Sequence, residues 1–270
     1  MTKRYIGGIL SANMLNVSAT GASGIWSPSM AAGYRAGFKW PGSAYPVEYF
    51  AVGGGGGATG GTYAVNYGSG GAAGVVRTGS AFFIPGTSYT VTVGAGGAGS
   101  NGVTAGSGGS SIISGTGITT VTATGGDGAG TGFIGASNAD FSGASNPVGQ
   151  YVAGGGAGSA GSGNNDSGGA ATSLTWTGTT LYFGGGGAGG GGSGTAGTGG
   201  GKGFAAGATN TGSGGGGAGS DTGGGAGGSG CILIRVPDTI SLATTTGSPA
   251  ITTNGGYRIY KFNASGTIIF

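Results

Sequence analysis

Gly53-Gly54-Gly55-Gly56-Gly57 opens, and Gly223-Gly224-Gly225-Ala226-Gly227-Gly228-Ser229-Gly230 closes, a stretch that holds 67 of the chain's 78 glycines. Proteins on average are about 7% glycine. Residues 53–230 are therefore either a flexible linker or a fold that depends on missing side chains.

Two features favour a fold. Flexible Gly/Ser linkers are monotonous, but here aromatic and β-branched clusters break the glycine runs at 63–67, 75–76, 81–84, 89–93, 111–113, 118–121, 133–134, 174–176 and 181–183. Disordered chains also stay solvated through charge, whereas between Thr78 and Gly201 the only definite charges are Asp127, Asp140 and Asp166.

Backbone polar groups then decide what forms. Glycine loses the most conformational entropy on ordering and buries no side chain in return. An α-helix is excluded and an ordinary sheet disfavoured. The extended three-residue-per-turn helix remains, whose N–H and C=O groups point sideways and must find partners when buried. Glycine at inward positions lets such helices approach and hydrogen-bond laterally, so the expected fold is mostly irregular and β, with a bundle of polyglycine-II helices. Collagen is rejected: the runs at 184–187 and 189–192 break strict Gly-X-Y, and the chain has only 7 prolines.

The rest of the chain reads as handles on this body. The expected division is a docking arm with a short helix (1–46), the glycine-rich body with a strand base and aromatic loops (47–236), and a C-terminal β-hairpin module (237–270). In the arm, Tyr5, Ile6, Ile9, Leu10, Trp26, Tyr34 and Trp40 are the candidate docking residues, to another protein or back onto the body. Ser27-Pro28 reads as an N-cap with proline at the first helical position, starting a helix that ends near Gly37. The segments 47–52, 89–93, 118–123 and 231–236 read as four strands sharing one small base sheet. Tyr257-Arg258-Ile259-Tyr260-Lys261-Phe262 and Thr267-Ile268-Ile269-Phe270, joined by a turn, read as the hairpin.

Loops are expected at 62–67, 133–151, 164–183 and 202–211. Tyr63, Tyr67, Phe133, Phe141, Tyr151, Trp176, Tyr182 and Phe183 within them, among Asn, Ser, Thr and Gly, form either an adaptable recognition surface or caps that keep the bundle dry.

Chemistry other than binding has little to work with. There is no histidine, so the usual base and metal ligand are absent. Cys231 is the one cysteine, with no partner for a disulfide or an activated nucleophile, and reads as a buried, inert thiol. The six acidic residues are scattered. Gly94-Ala95-Gly96-Gly97-Ala98-Gly99 matches a dinucleotide fingerprint, but neither a helix nor an acidic residue follows at the required distance. Gly216-Gly217-Ala218-Gly219-Ser220-Asp221 resembles one calcium-binding glycine repeat without the tandem copies. No enzyme activity, cofactor or metal is expected. The net charge of +3 is dispersed, arguing against nucleic acid. No stretch reads as a signal peptide or membrane span.

Three stretches together resemble the glycine-rich structural proteins of tailed bacteriophages. They are Lys3-Arg4-Tyr5-Ile6-Gly7-Gly8-Ile9-Leu10-Ser11-Ala12-Asn13 with Trp26-Ser27-Pro28, the strand 47–52 running into polyglycine, and Gly228-Ser229-Gly230 leading into Ile232-Leu233-Ile234-Arg235-Val236-Pro237 and the C-terminal segment. The body is similar to that of T-even-type distal tail-fibre adhesins, which implies a layered sandwich of polyglycine-II helices with receptor-contacting loops. The resemblance implies a virion protein made in the host cytoplasm and present in several copies, one arrangement being a homo-oligomer. Its partners would be other virion proteins and a host-surface glycan or outer-membrane protein. The rival expectations are a purely structural decoration or neck protein, and an ice-binding protein, for which the irregular runs are a poor fit.

Overall fold

The computed structural model describes residues 16–17, 22–23, 29, 32–33, 44–61, 67–102, 104–130, 134–145, 153–191, 193–219 and 222–270. Its apolar residues gather in a β base. After the two-residue ladder of β1 (Asn16–Val17) and β2 (Ala22–Ser23) come β3 (Tyr45–Val52), β4 (Val76–Phe83), β5 (Ser88–Thr92), β6 (Ser111–Ser114), β7 (Val121–Ala123), β8 (Thr172–Leu174), β9 (Leu181–Phe183), β10 (Cys231–Pro237), β11 (Thr244–Thr245), β12 (Ala250–Asn254), β13 (Tyr257–Phe262) and β14 (Gly266–Ile269). One antiparallel sheet has the order β12-β13-β10-β3-β4, a second the order β11-β14-β5-β6-β7, and β8 and β9 form a two-stranded pair.

The side-chain period of two explains how these layers stack. Val47, Ala51, Ile232, Ile234, Val236, Tyr260 and Phe262 of the first sheet share a core with Tyr89, Val91, Ile113 and Ile268 of the second. Phe83 and Tyr89 stack there with ring centroids 3.8 Å apart. The Tyr89 hydroxyl accepts from the Ile84 N–H and donates to the Thr116 carbonyl, so its polar end is satisfied inside the core. Phe50, Val52, Cys231, Leu233 and Ile259 point to the other face of the first sheet, where Leu174, Leu181 and Phe183 of the β8–β9 hairpin cover them. β10 is thus buried on both faces, which is why its sequence is an apolar run rather than an alternation.

Above the base, the segments that continue the strands are neither helix nor strand, and their bonds run sideways. From Gly53 to Thr59 the pattern repeats every third residue. Gly53, Gly56 and Thr59 donate to Val75, Ala72 and Ser69; Gly54 and Gly57 to Gly109 and Gly106; Gly55 and Ala58 to Gly228 and Gly225. The carbonyls of Gly54 and Gly57 accept from Gly126 and Ala129, those of Gly55 and Ala58 from Gly97 and Ser100, and those of Gly56 and Thr59 from Gly215 and Ala218. All these bonds are 2.7–3.2 Å long. The segment thus has three antiparallel and three parallel neighbours, and every residue of it is buried. The spacing is possible only without side chains: a Cβ on Gly54 would overlap the Ala95 carbonyl oxygen, and one on Gly56 that of Asp127.

The structure corrects three expectations. The four predicted base strands do not share a sheet: β3 and β10 lie in one, β5 and β7 in the other, because their alternating apolar residues face each other across a common core. The predicted C-terminal hairpin does not form. β13 pairs with β10 and β12, and β14 pairs with β5 and β11 in the opposite sheet, so the turn between them crosses the sandwich. The expected loops 133–151 and 202–211 are partly wired into the body. Ala136 donates to Gly70, and Gly207 donates to Ala226. Of the helix expected from Ser27 to Gly37, only Ser29, Ala32 and Gly33 are among the described residues, and all three are exposed.

Candidate binding groove

The hairpin covers only part of the first sheet's outer face. Beside it lies a groove of about 800 Å³ whose lining includes Pro46, Glu48, Thr78, Ser80, Phe82, Trp176, Arg235, Pro237 and Tyr257. Strand register orders its floor. Ser80 is the cross-strand partner of Glu48, and Glu48 of Arg235, so the three form a polar row perpendicular to β4, β3 and β10. An apolar row flanks it on one side: Phe82 opposite Pro46, and Pro237 opposite Tyr257. On the other side Trp176 rises from the β8–β9 turn, braced edge-on against Phe50, ring centroids 6.5 Å apart. Asn254 Nδ2 donates to the Trp176 carbonyl at 3.0 Å and ties this turn to the end of β12.

Arg235 organises the groove. Its guanidinium carbon lies 4.2 Å from the Trp176 ring centroid and 4.7 Å from that of Tyr257. Its Nη2 donates to Glu48 Oε2 at 2.7 Å. A planar, weakly hydrated cation suits this stacking between two rings better than an ammonium does. The carboxylate neutralises it, so the floor carries no net charge.

On the other side of edge strand β4 lies a smaller groove of about 470 Å³, lined among others by Tyr49, Arg77, Ile118 and Thr122. Beside it Arg77 makes a bidentate pair with Asp140, at 2.6 and 3.0 Å. Hydrogen bonding to Arg77 holds the Asp140 carboxyl below its ordinary range, against a smaller opposing effect of burial. Cys231 lies under the hairpin, and burial pushes its thiol up to about 12. Among the described residues no three His, Cys, Asp or Glu side chains gather as metal ligands would.

Of the aromatic residues singled out in the sequence, the described ones take different places. Trp176 is half-buried in the groove wall. Phe183, 1% exposed, packs on Phe50 and belongs to the core rather than to a contact surface. Tyr182, beside it on β9, is exposed. Phe141 packs on the alanine cluster Ala72, Ala129, Ala136 and Ala157, as a cap on the body would. Tyr67 is half-buried. Tyr63, Phe133 and Tyr151 lie outside the described residues, as do the arm residues Tyr5, Ile6, Ile9, Leu10, Trp26, Tyr34 and Trp40.

Sequence reasoning missed Glu48, Arg235 and Tyr257 as a site. The available signal was a single charge interrupting each of two apolar strands, Val47-Glu48-Tyr49 and Ile234-Arg235-Val236. Their pairing across 187 positions of sequence is invisible in either strand alone.

No curated protein matches the chain. The model of the glycine-rich domain family matches residues 33–237, from within the N-terminal segment to the end of β10. Spanning most of the sequence, including the lattice and the groove strands β3, β4 and β10, that match makes this chain a member of the glycine-rich domain family.

Proposed function

We propose that the chain is a non-enzymatic virion protein of a tailed bacteriophage, a fibre or tail component. Residues 1–46 dock it to another virion protein, and its body and base meet the host surface. The observation that carries this reading is the three-residue period of lateral hydrogen bonds from Gly53 to Thr59. It supports polyglycine-II helices packed side by side, the architecture implied by the likeness to T-even-type adhesins. A lattice joined through backbone groups makes a stiff spacer, suited to holding a binding surface away from its anchor. Its partners are then other virion proteins and a host-surface glycan or outer-membrane protein, engaged by several copies so that weak single contacts add up. Binding without catalysis fits a chain with no histidine, a buried thiol and dispersed carboxylates.

The rival is a decoration or neck protein that touches no host molecule, and the stacked ionic groove is the feature that favours contact over it. Adsorption competition tests the choice. Purified full-length chain, multimerised on beads and added to host cells, is expected to lower attachment of the phage that carries it. Unchanged attachment at saturating folded protein, with immunogold labelling the neck rather than the fibres, would replace the adhesin reading with the structural one.

A further inference from the structure

We infer that the groove on the outer face of the first sheet binds a neutral oligosaccharide, an inference resting on the reading of this chain as a host-contacting protein. Shape comes first. The groove lies on the outer face of the sheet and takes its lining from β13, β10, β3 and β4, a width of three strand spacings or about 14 Å. A ligand lying in it meets side chains, not the free backbone edge of β4. That suits a chain of rings, whereas a peptide adding as a strand needs the backbone edge.

Charge comes second. Arg235 and Glu48 cancel, leaving no surplus for a phosphate or a sialic acid. The pair keeps hydrogen-bonding capacity: Arg235 Nη1 and Glu48 Oε1 make no hydrogen bond with the described residues, and both side chains line the groove. A vicinal diol can accept from one and donate to the other, and the Ser80 hydroxyl extends the row by one more group of either kind. Apolar chemistry comes third. Phe82, 63% exposed, and the partly buried Tyr257 and Trp176 border the polar row on its two sides. A pyranose has this division of hydroxyl edge and apolar face. Few well-placed polar groups among aromatic walls are how small-molecule sites set orientation.

The test uses the full-length chain and defined probes: maltotriose, cellotriose, mannotriose and chitotriose as neutral arms, sialyllactose as an anionic arm, and an apolar β-strand peptide. Binding is read by calorimetry and by NMR saturation transfer. At least one neutral trisaccharide is expected to bind, with affinity about tenfold lower in Glu48→Gln, which removes a charge-assisted hydrogen bond. Ser80→Ala, on the exposed edge strand, should weaken binding without touching the ion pair. Arg77→Gln, beside the other groove, should leave it unchanged. Absence of binding by every neutral probe, tighter binding of sialyllactose or the peptide, or neutral binding indifferent to both groove variants would each overturn the assignment. If the chain blocks phage adsorption while no neutral sugar binds, the saccharide inference fails and the virion reading stands. Sugar binding with no effect on adsorption separates the two in the opposite sense.

Discussion

Tyr49 and Gly79 are cross-strand partners on β3 and β4, and the Tyr49 phenol fills the space that a side chain at 79 would need. The glycine at the middle of an exposed edge strand is therefore a seat for an aromatic ring, which also lines both grooves. Gly79→Ala is expected to lower stability in urea unfolding by about 1–3 kcal/mol, the cost of overpacking. In a Tyr49→Ala background the same change should cost much less, giving a coupling of at least about 0.5 kcal/mol. Additive effects would mean that the ring swings clear and the contact carries no energy.

The glycine lattice makes a sharper prediction, because its obstacles are carbonyl groups that cannot turn aside. Gly56→Ala drives a methyl into the Asp127 carbonyl, in the segment with six neighbours. A loss of at least about 4 kcal/mol, or failure to fold, is expected, placing it in the extreme class of single substitutions. Gly130→Ala has open space around the new methyl and should stay within about 0.5 kcal/mol of the parent. Equal effects at the two sites would show that glycine is needed for backbone freedom in general and not for close approach.

What the sequence made legible follows the same division between local and distant causes. The strand 47–52 and its run into glycine, the buried strand beginning at Cys231 and the alternation of Tyr89 and Val91 are local patterns, and all three are in the structure. The partners of those strands are not local. Ile268 of β14 lies opposite Tyr89, far back in the chain, so a hairpin drawn from neighbouring segments was the natural and mistaken reading. The same limit hid the groove. Trp176 stood out as an aromatic among glycines, but its role depends on Arg235, Glu48 and Tyr257 arriving from three other strands.

Cys231 offers a chemical check on the layer of β8 and β9. Its thiol lies beneath the hairpin, and burial pushes it up to about 12, because ionising it there would strand a thiolate away from water. A chromogenic disulfide reagent at about pH 8, near the ordinary thiol pKa, is expected to react with it only as fast as the protein opens, and at once in denaturant. Leu181→Ala, which thins the cover, should accelerate the reaction in the folded state. Prompt labelling of the parent chain would mean that the hairpin does not stay closed over β10.

Arg77 and Asp140 tie edge strand β4 to the segment 134–145, and their contribution should depend on acidity with a defined sign. Hydrogen bonding to Arg77 lowers the folded-state pKa of Asp140 below its unfolded value. The pair's stabilisation is therefore complete above the ordinary carboxylate range and is lost as pH falls through the lower folded value. The side chains are 40% and 35% exposed, so solvent screening confines the effect to about 0.2–1 kcal/mol. The urea midpoint of the parent chain should exceed that of Asp140→Asn at about pH 6, and the gap should narrow as the pH falls below the ordinary carboxylate pKa of about 4. Salt should shrink the gap at about pH 6, where the carboxyl is charged. A gap that persists undiminished into acid would assign Asp140's contribution to neutral hydrogen bonding and packing, and β4 would be held to the body by shape rather than by charge.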